Sequence, residues 1–162
     1  MRIREATVRD KQEIIKLFET ARSFMIKSGN SEQWSNNYPP LHIIEEDIER
    51  QQSYLCIKNN KTEAVFTLLS SPDPTYINIE GRGWLNNDPY LTIHRIASYG
   101  RSKGVVQAIV DWAYKQKENI RIDTHEQNGP MRHLLNKLGF IYCGTIRVED
   151  GSERLAFQKS KG

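Results

Sequence analysis

A chain of 162 residues, 38% hydrophobic and 27% charged with a formal net charge of +3, is sized for one domain that closes a core without disulfide staples. Its 23 basic and 20 acidic residues are interspersed, which excludes the basic block of a nucleic-acid binder. No apolar run approaches the ~18 residues of a membrane span, the opening MRIREATVRDKQ lacks a signal-peptide centre, and Cys56 and Cys143 form no CxxC pair, so the expectation is a cytoplasmic domain with reduced thiols, no metal and no membrane contact.

In chain order, residues 3–8 predict a first strand. Asp10 is placed to cap a helix whose Ile14, Phe18, Ala21 and Met25 share one face and which ends near Gly29. Residues 30–38 form a polar loop carrying Gln33, Trp34 and Tyr38. Pro39-Pro40 opens a second helix with Leu41, Ile44 and Ile48 on one side and Glu45, Glu46 and Asp47 near its positive end. From residue 53 the period becomes strand-like: SYLCIKNN and TEAVFTLLS predict a hairpin turned at residues 59–61. Residues 75–90 are a long connection with Tyr76, Trp84 and Tyr90, and connections of this length commonly carry function.

Residues 91–116, LTIHRIASYGRSKGVVQAIVDWAYKQ, predict a strand, a short basic turn and a helix with Val105, Val106, Ile109, Val110 and Ala113 at helical spacing. A helix start leaves about four N–H groups unpartnered and carries roughly half a positive charge, so the turn Arg101-Ser102-Lys103-Gly104 is suited to an anion. Residues 119–125 read as a strand. Asn128-Gly129-Pro130 opens a helix with Met131, Leu134, Leu135 and Leu138 on one face and Gly139 as its cap. A last hairpin joins residues 140–148 to 154–158. The order β-α-α-β-β-β-α-β-α-β-β predicts a single α/β domain over residues 1–162, with a mixed sheet and helices on both faces.

The element order and two motifs resemble the GNAT (Gcn5-related) N-acetyltransferases. Arg101-Ser102-Lys103-Gly104-Val105-Val106 is similar to the family's R/Q-x-x-G-x-G/A turn, and NGPMRHLLNKLGF, with Asn128 and Gly139-Phe140, to its N-x-x-A-x-x-L-Y-x-K-x-G-F segment. The resemblance implies a mostly antiparallel sheet of about seven strands and an acyl-CoA-dependent N-acyltransferase, with acetyl-CoA as cofactor and a small-molecule or peptide amine as acceptor. It leaves a homodimer open. It also implies that amides of residues 101–106 and Asn128 hold the pyrophosphate end, and that the backbone of Ile96, Ala97 and Ser98 pairs with the thioester arm. Two positions depart from the pattern. Val106 replaces the usual small residue, and Leu135 stands where many members carry the tyrosine that protonates the leaving thiolate.

Acetyl transfer to an amine needs a held thioester, an oxyanion donor and a base for the amine proton. His94 lies on the strand beside the expected thioester, and an imidazole ordinarily titrates near pH 6.5. It is the first candidate base, with packing inside the sheet as the competing role. His125, at the next strand's end, is the second. Gln33, Trp34, Tyr38, Trp84 and Tyr90 are the acceptor-binding candidates, though the tryptophans could equally anchor their loops. Glu80, Asp88 and Glu126 are acids that could attract a cationic amine. A non-catalytic module that binds acyl-CoA is the alternative, favoured by Val106 and Leu135.

Overall fold

A computed structural model describes residues 1–161. Its elements are β1 (Arg2–Glu5), α1 (Lys11–Lys27), α2 (Leu41–Glu49), β2 (Ser53–Lys58), β3 (Lys61–Ser70), β4 (Leu91–Ser98), α3 (Val105–Gln116), β5 (Asn119–Thr124), α4 (Gly129–Lys137), β6 (Ile141–Arg147) and β7 (Glu153–Ser160). The expected order of strands and helices is therefore present. The seven strands form one sheet in the order β1-β2-β3-β4-β5-β7-β6, antiparallel except where β4 and β5 meet in parallel.

Alternation within the strands explains how one sheet carries two cores. On β2, Leu55 and Ile57 face α1 and α2, joining Ile14, Leu17, Phe18, Ala21 and Ile44. Cys56 between them faces the opposite layer, where α3 and α4 bring Val105, Ile109, Val110, Ala113 and Leu135 onto Phe66, Ile93, Ile120 and Ile122. Strands covered on both sides read as continuous apolar runs, as β2 and β3 do. Asp10 differs from its expected role. Its carboxylate closes a short turn by accepting from the Thr7 amide at 2.8 Å and grips Arg4 in a two-pronged pair at 2.9 Å.

The long connection before β4 is irregular and tied down by polar groups. Gln158, fully buried, donates to Asn119 at 2.7 Å and accepts from the Leu85 amide at 2.8 Å, and Asn119 donates to Asn86 at 3.0 Å. The guanidinium of Arg121 lies 4.2 Å from the ring centre of Trp84 and 4.0 Å from that of Tyr90. Midway, Glu80 and Thr145 exchange backbone hydrogen bonds of 2.9 and 2.8 Å. That bridge requires the neighbouring Gly144, whose φ is +143° and whose missing Cβ would run into the Glu80 carbonyl. Gly144→Ala is expected to destabilise the fold by on the order of 2–3 kcal/mol. An unchanged urea midpoint would show that the bridge can slide aside.

Candidate active site

The central feature is where β4 leaves β5. They pair only at Leu91↔Ile120 and Thr92↔Arg121, so beyond Thr92 the edge of β4 that faces β5 has no strand partner. A bulge accompanies the divergence. Thr67 of β3 is opposite His94 and Val65 is opposite Ala97, leaving Arg95 and Ile96 against a single residue, and Arg95 adopts φ +50°. Such a bulge bends the strand and leaves one residue outside the ladder. The strained backbone of Arg95 is held by its side chain. Its Nε and Nη2 each donate to Asp47 at 2.9 Å, and Nη1 donates to the Tyr38 hydroxyl at 3.2 Å.

The opening between β4 and β5 belongs to a cleft of about 1140 Å³ whose wall includes Gln33, Trp34, Tyr38, His94, Ile96, Asp123, Thr124, Asn128 and Arg154. His94 is held through one ring nitrogen and has a second carboxylate near the other. Nε2 lies 2.8 Å from Asp73 Oδ2, and Nδ1 lies 3.7 Å from Asp123 Oδ2. Asp73 is held by further donors, the Thr75 amide at 2.9 Å and its hydroxyl at 2.8 Å. Burial pushes the Asp73 carboxyl up, but hydrogen bonding and charge from His94, with help from Thr75, outweigh it and leave the group below the ordinary carboxylate range. Asp123 accepts a 2.6 Å hydrogen bond from the Tyr76 hydroxyl. Burial first, and then the Asp123 charge, raise the Tyr76 phenol well above its usual value, so it remains a donor.

The turn after β4 has the features expected of an anion cradle. Gly100 and Gly104 both have φ of +75°, and nothing lies within 4 Å of a Cβ built at Gly104. The first amide of the helical ladder to find a carbonyl is that of Ala108, on Gly104 at 3.0 Å. No side chain caps the amides before it. Val105 is buried and Val106 packs partly against the α3 core, so the branched side chain in the usual small-residue place is turned toward the sheet. Ser102 is half-buried and Lys103 exposed. Arg101 is drawn aside: Nε donates to the buried Glu63 at 3.2 Å, Nη2 donates to the Thr62 carbonyl at 3.0 Å, and the guanidinium covers Tyr99.

The remaining candidates separate. Gln33 lines the cleft and fastens it, its Oε1 accepting from the Thr124 hydroxyl at 3.2 Å, the His125 amide at 3.3 Å and Asn128 Nδ2 at 3.1 Å. Asn128 caps α4 by accepting from the Met131 amide at 3.2 Å. Trp34 is an anchor as well as wall, buried edge-on against Phe18. Trp84 and Tyr90 lie behind the cleft wall rather than in it. Trp84 donates to the Tyr76 carbonyl at 2.8 Å, and the Tyr90 hydroxyl accepts from the Asp73 amide at 2.9 Å. His125 is also outside the wall, its Nδ1 accepting from the Gln127 amide at 3.0 Å. Glu80, Asp88 and Glu126 do not line the cleft, whereas Glu46, Asp47, Asp73, Asp123, Glu149 and Asp150 do. Leu135 is wholly buried in the core.

Four side chains of this site escaped sequence reasoning. Asp47 sits in an acidic run that reads as a solvated face, Asp73 and Tyr76 lie in an irregular connection, and Asp123 is one acid within a strand. No local signal connects them to His94. Cys56 and Cys143 are free and buried, and burial pushes the Cys56 thiol up to about 12, which removes it as a nucleophile. Among the described residues no cluster of His, Cys, Asp and Glu has the form of a metal site, and no helix is long and apolar enough to cross a membrane.

No protein-family model and no curated protein matches the chain. Solved structures do. A GNAT-family acetyltransferase from Streptococcus agalactiae 2603 is 32% identical, with a TM-score of 0.90 over 99% of this chain and 95% of its own. A GNAT-family acetyltransferase from Listeria monocytogenes 4b F2365 is 21% identical, with a TM-score of 0.72 over 98% and 93%. The enzyme AAC(6')-Ib, in complex with parmomycin and acetyl-CoA, is 18% identical, with a TM-score of 0.65 over 98% and 92%. The last two likenesses are ones of fold.

Proposed function

This chain belongs to the GNAT family of acetyltransferases, and from that premise we propose that it moves an acetyl group from acetyl-CoA directly to a primary amine of a small molecule or peptide, with both bound together. The observation that carries the reading is the divergence of β4 from β5 directly ahead of an uncapped, glycine-opened helix start. Free amides and open space at Gly104 suit a pyrophosphate, and the unpaired edge of β4 at Ile96, Ala97 and Ser98 suits an amide-bearing arm. The acetyl-CoA complex of the similarly folded AAC(6')-Ib supports that choice of cofactor. When bound, acetyl-CoA supplies an activated thioester.

The protein supplies position and a proton acceptor. Asp73 takes the Nε2–H of His94 and thereby fixes the tautomer that leaves a lone pair on Nδ1. Nδ1 and Asp123 Oδ2, 3.7 Å apart, are then two neighbouring acceptors, close enough for one incoming amine to donate an N–H group to each. As nitrogen bonds to the acetyl carbon and the C–S bond breaks, the surplus amine proton passes to His94. The bulge at Arg95 and Ile96 leaves a backbone N–H for the carbonyl oxygen. With Leu135 in place of a hydroxyl, the thiolate takes its proton from solvent, as a thiol of ordinary pKa about 8.5 can. Gln33, Trp34 and Tyr38 border the acceptor, while Trp84 and Tyr90 support Asp73 and Tyr76 from behind.

Calorimetry with coenzyme A tests the cofactor half. Binding weakens with added salt, and Lys103→Glu raises the Kd by about 10-fold, or ~1.4 kcal/mol. Thiol release from acetyl-CoA across a panel of amines and peptides tests the rest. Absence of coenzyme A binding, or silence across the whole panel, would overturn the proposal.

A further inference from the structure

The charged groups of the cleft sort by partner, and one buried cation has no counter-ion. Arg154 on β7 lines the cleft and is 7% exposed. Its Nη1 donates to the Ser152 hydroxyl at 2.9 Å and the Glu153 carbonyl at 3.0 Å, and its Nη2 donates to the Gln33 carbonyl at 3.0 Å. All three acceptors are neutral. None of the ion pairs among the described residues includes it. Asp150 feels its charge at a distance, but that carboxylate accepts from the Ser152 amide and hydroxyl. Arg121, equally buried and equally without an acid, is covered by two aromatic rings; Arg154 has none.

A guanidinium carries five N–H groups, so two of Arg154 remain, one on Nε and one on Nη2, available to a carboxylate. Unlike Arg121 Nε, Arg154 Nε is not sealed from solvent. A cation kept nearly dry without a paired anion is costly, and a ligand's anion recovers that cost. Its place relative to the reacting centre follows from register. β5 pairs with β7 at Asp123↔Ala156 and Thr124↔Leu155, so Arg154 and Asp123 project from one face of the sheet as diagonal neighbours, about 7–8 Å apart at the backbone. That spacing is within the span of one small molecule.

Resting on the N-acetyltransferase reading above, we propose that the acceptor carries a carboxylate as well as its amine, making it an amino acid or close analogue, with the carboxylate on the remaining N–H groups of Arg154 and the amine donating to His94 and Asp123. Calorimetry on coenzyme A-saturated protein, using a panel of free amino acids and their matched carboxamides, tests this, with thiol release measured in parallel. At least one amino acid should bind at least about 10-fold more tightly than its amide. Arg154→Gln should erase that preference while leaving coenzyme A affinity unchanged, and Arg154→Lys should retain part of it. Amides that bind as well as their acids, or no amino acid that binds at all, would overturn the inference. So would an Arg154→Gln variant that weakens both classes alike, since Arg154 would then only tether the Gln33 loop. The wild-type comparison stands by itself should the variants fail to fold. Thiol release from carboxylate-free amines alone sinks this inference and spares the acetyltransferase reading; loss of coenzyme A binding sinks that reading.

Discussion

His94→Gln is expected to lower kcat/KM for an accepted amine by about 10²–10³-fold, to leave coenzyme A affinity unchanged, and to change the form of the pH–rate profile. The expectation rests on where the ring is held. His94 is the one histidine in the cleft wall, and Asp73 at 2.8 Å dictates which nitrogen keeps its proton. The sign of the Asp73 shift shows that this carboxylate is not itself the titrating group. Its folded pKa lies below the ordinary value of about 3.9. The stability it contributes is therefore fully present above that value and is lost only as the pH falls through the lowered pKa. At neutral pH Asp73 stays ionised, so it orients and does not titrate. Asp73→Asn should accordingly cost less than His94→Gln. A His94→Gln profile that retains every limb of the wild type assigns the proton to water or to Asp123 instead.

Asp47→Ala is expected to destabilise the protein by about 3–5 kcal/mol, because it strands a guanidinium in a mostly dry place. Asp47 accepts from Arg95 twice, from Gln52 Nε2 at 2.9 Å and from the Thr67 hydroxyl at 2.9 Å. Without it Arg95 keeps only the Tyr38 hydroxyl. For a chain of this size the loss corresponds to a fall in Tm on the order of 10 °C. The effect should reach function, since Arg95 is the residue with φ +50° in the bulge that turns β4 away from β5. Relaxing it narrows the gap, and coenzyme A should bind several-fold more weakly in whatever fraction remains folded. Replacing both partners by apolar residues, Asp47→Leu with Arg95→Met, should restore much of the stability and little of the binding. A double variant that restores both would show that the bulge does not need the ion pair.

Local chemistry was enough to order the elements of this fold. Short apolar, β-favouring runs in residues 53–58 and 61–70, helical spacing in α1, α3 and α4, and the glycines at 104 and 139 each act within about ten residues of chain, where propensity and patterning operate. The open turn ahead of α3 was legible for the same reason: a glycine followed at once by a helix start exposes amides whatever the rest of the molecule does. His94 could be singled out from its strand and its imidazole, but its partners could not. Asp73 and Asp123 lie 21 and 29 residues away in sequence and meet it only because β3, β4 and β5 stand side by side. The same holds for Asp47, which reads as one more acid in EED until Arg95 approaches it from the sheet, and for Trp84 and Tyr90, which look like surface aromatics until Arg121 is found packed against them. Periodicity tells which face of an element is buried; it carries no information about which distant polar group shares that burial. What the chain's own pattern determined is the scaffold and the uncapped, glycine-opened helix start at residues 101–106. The charge relations of the acceptor site, including an unpaired Arg154, were decided only by tertiary structure, because the cost of burying a charge depends on what else has been brought beside it.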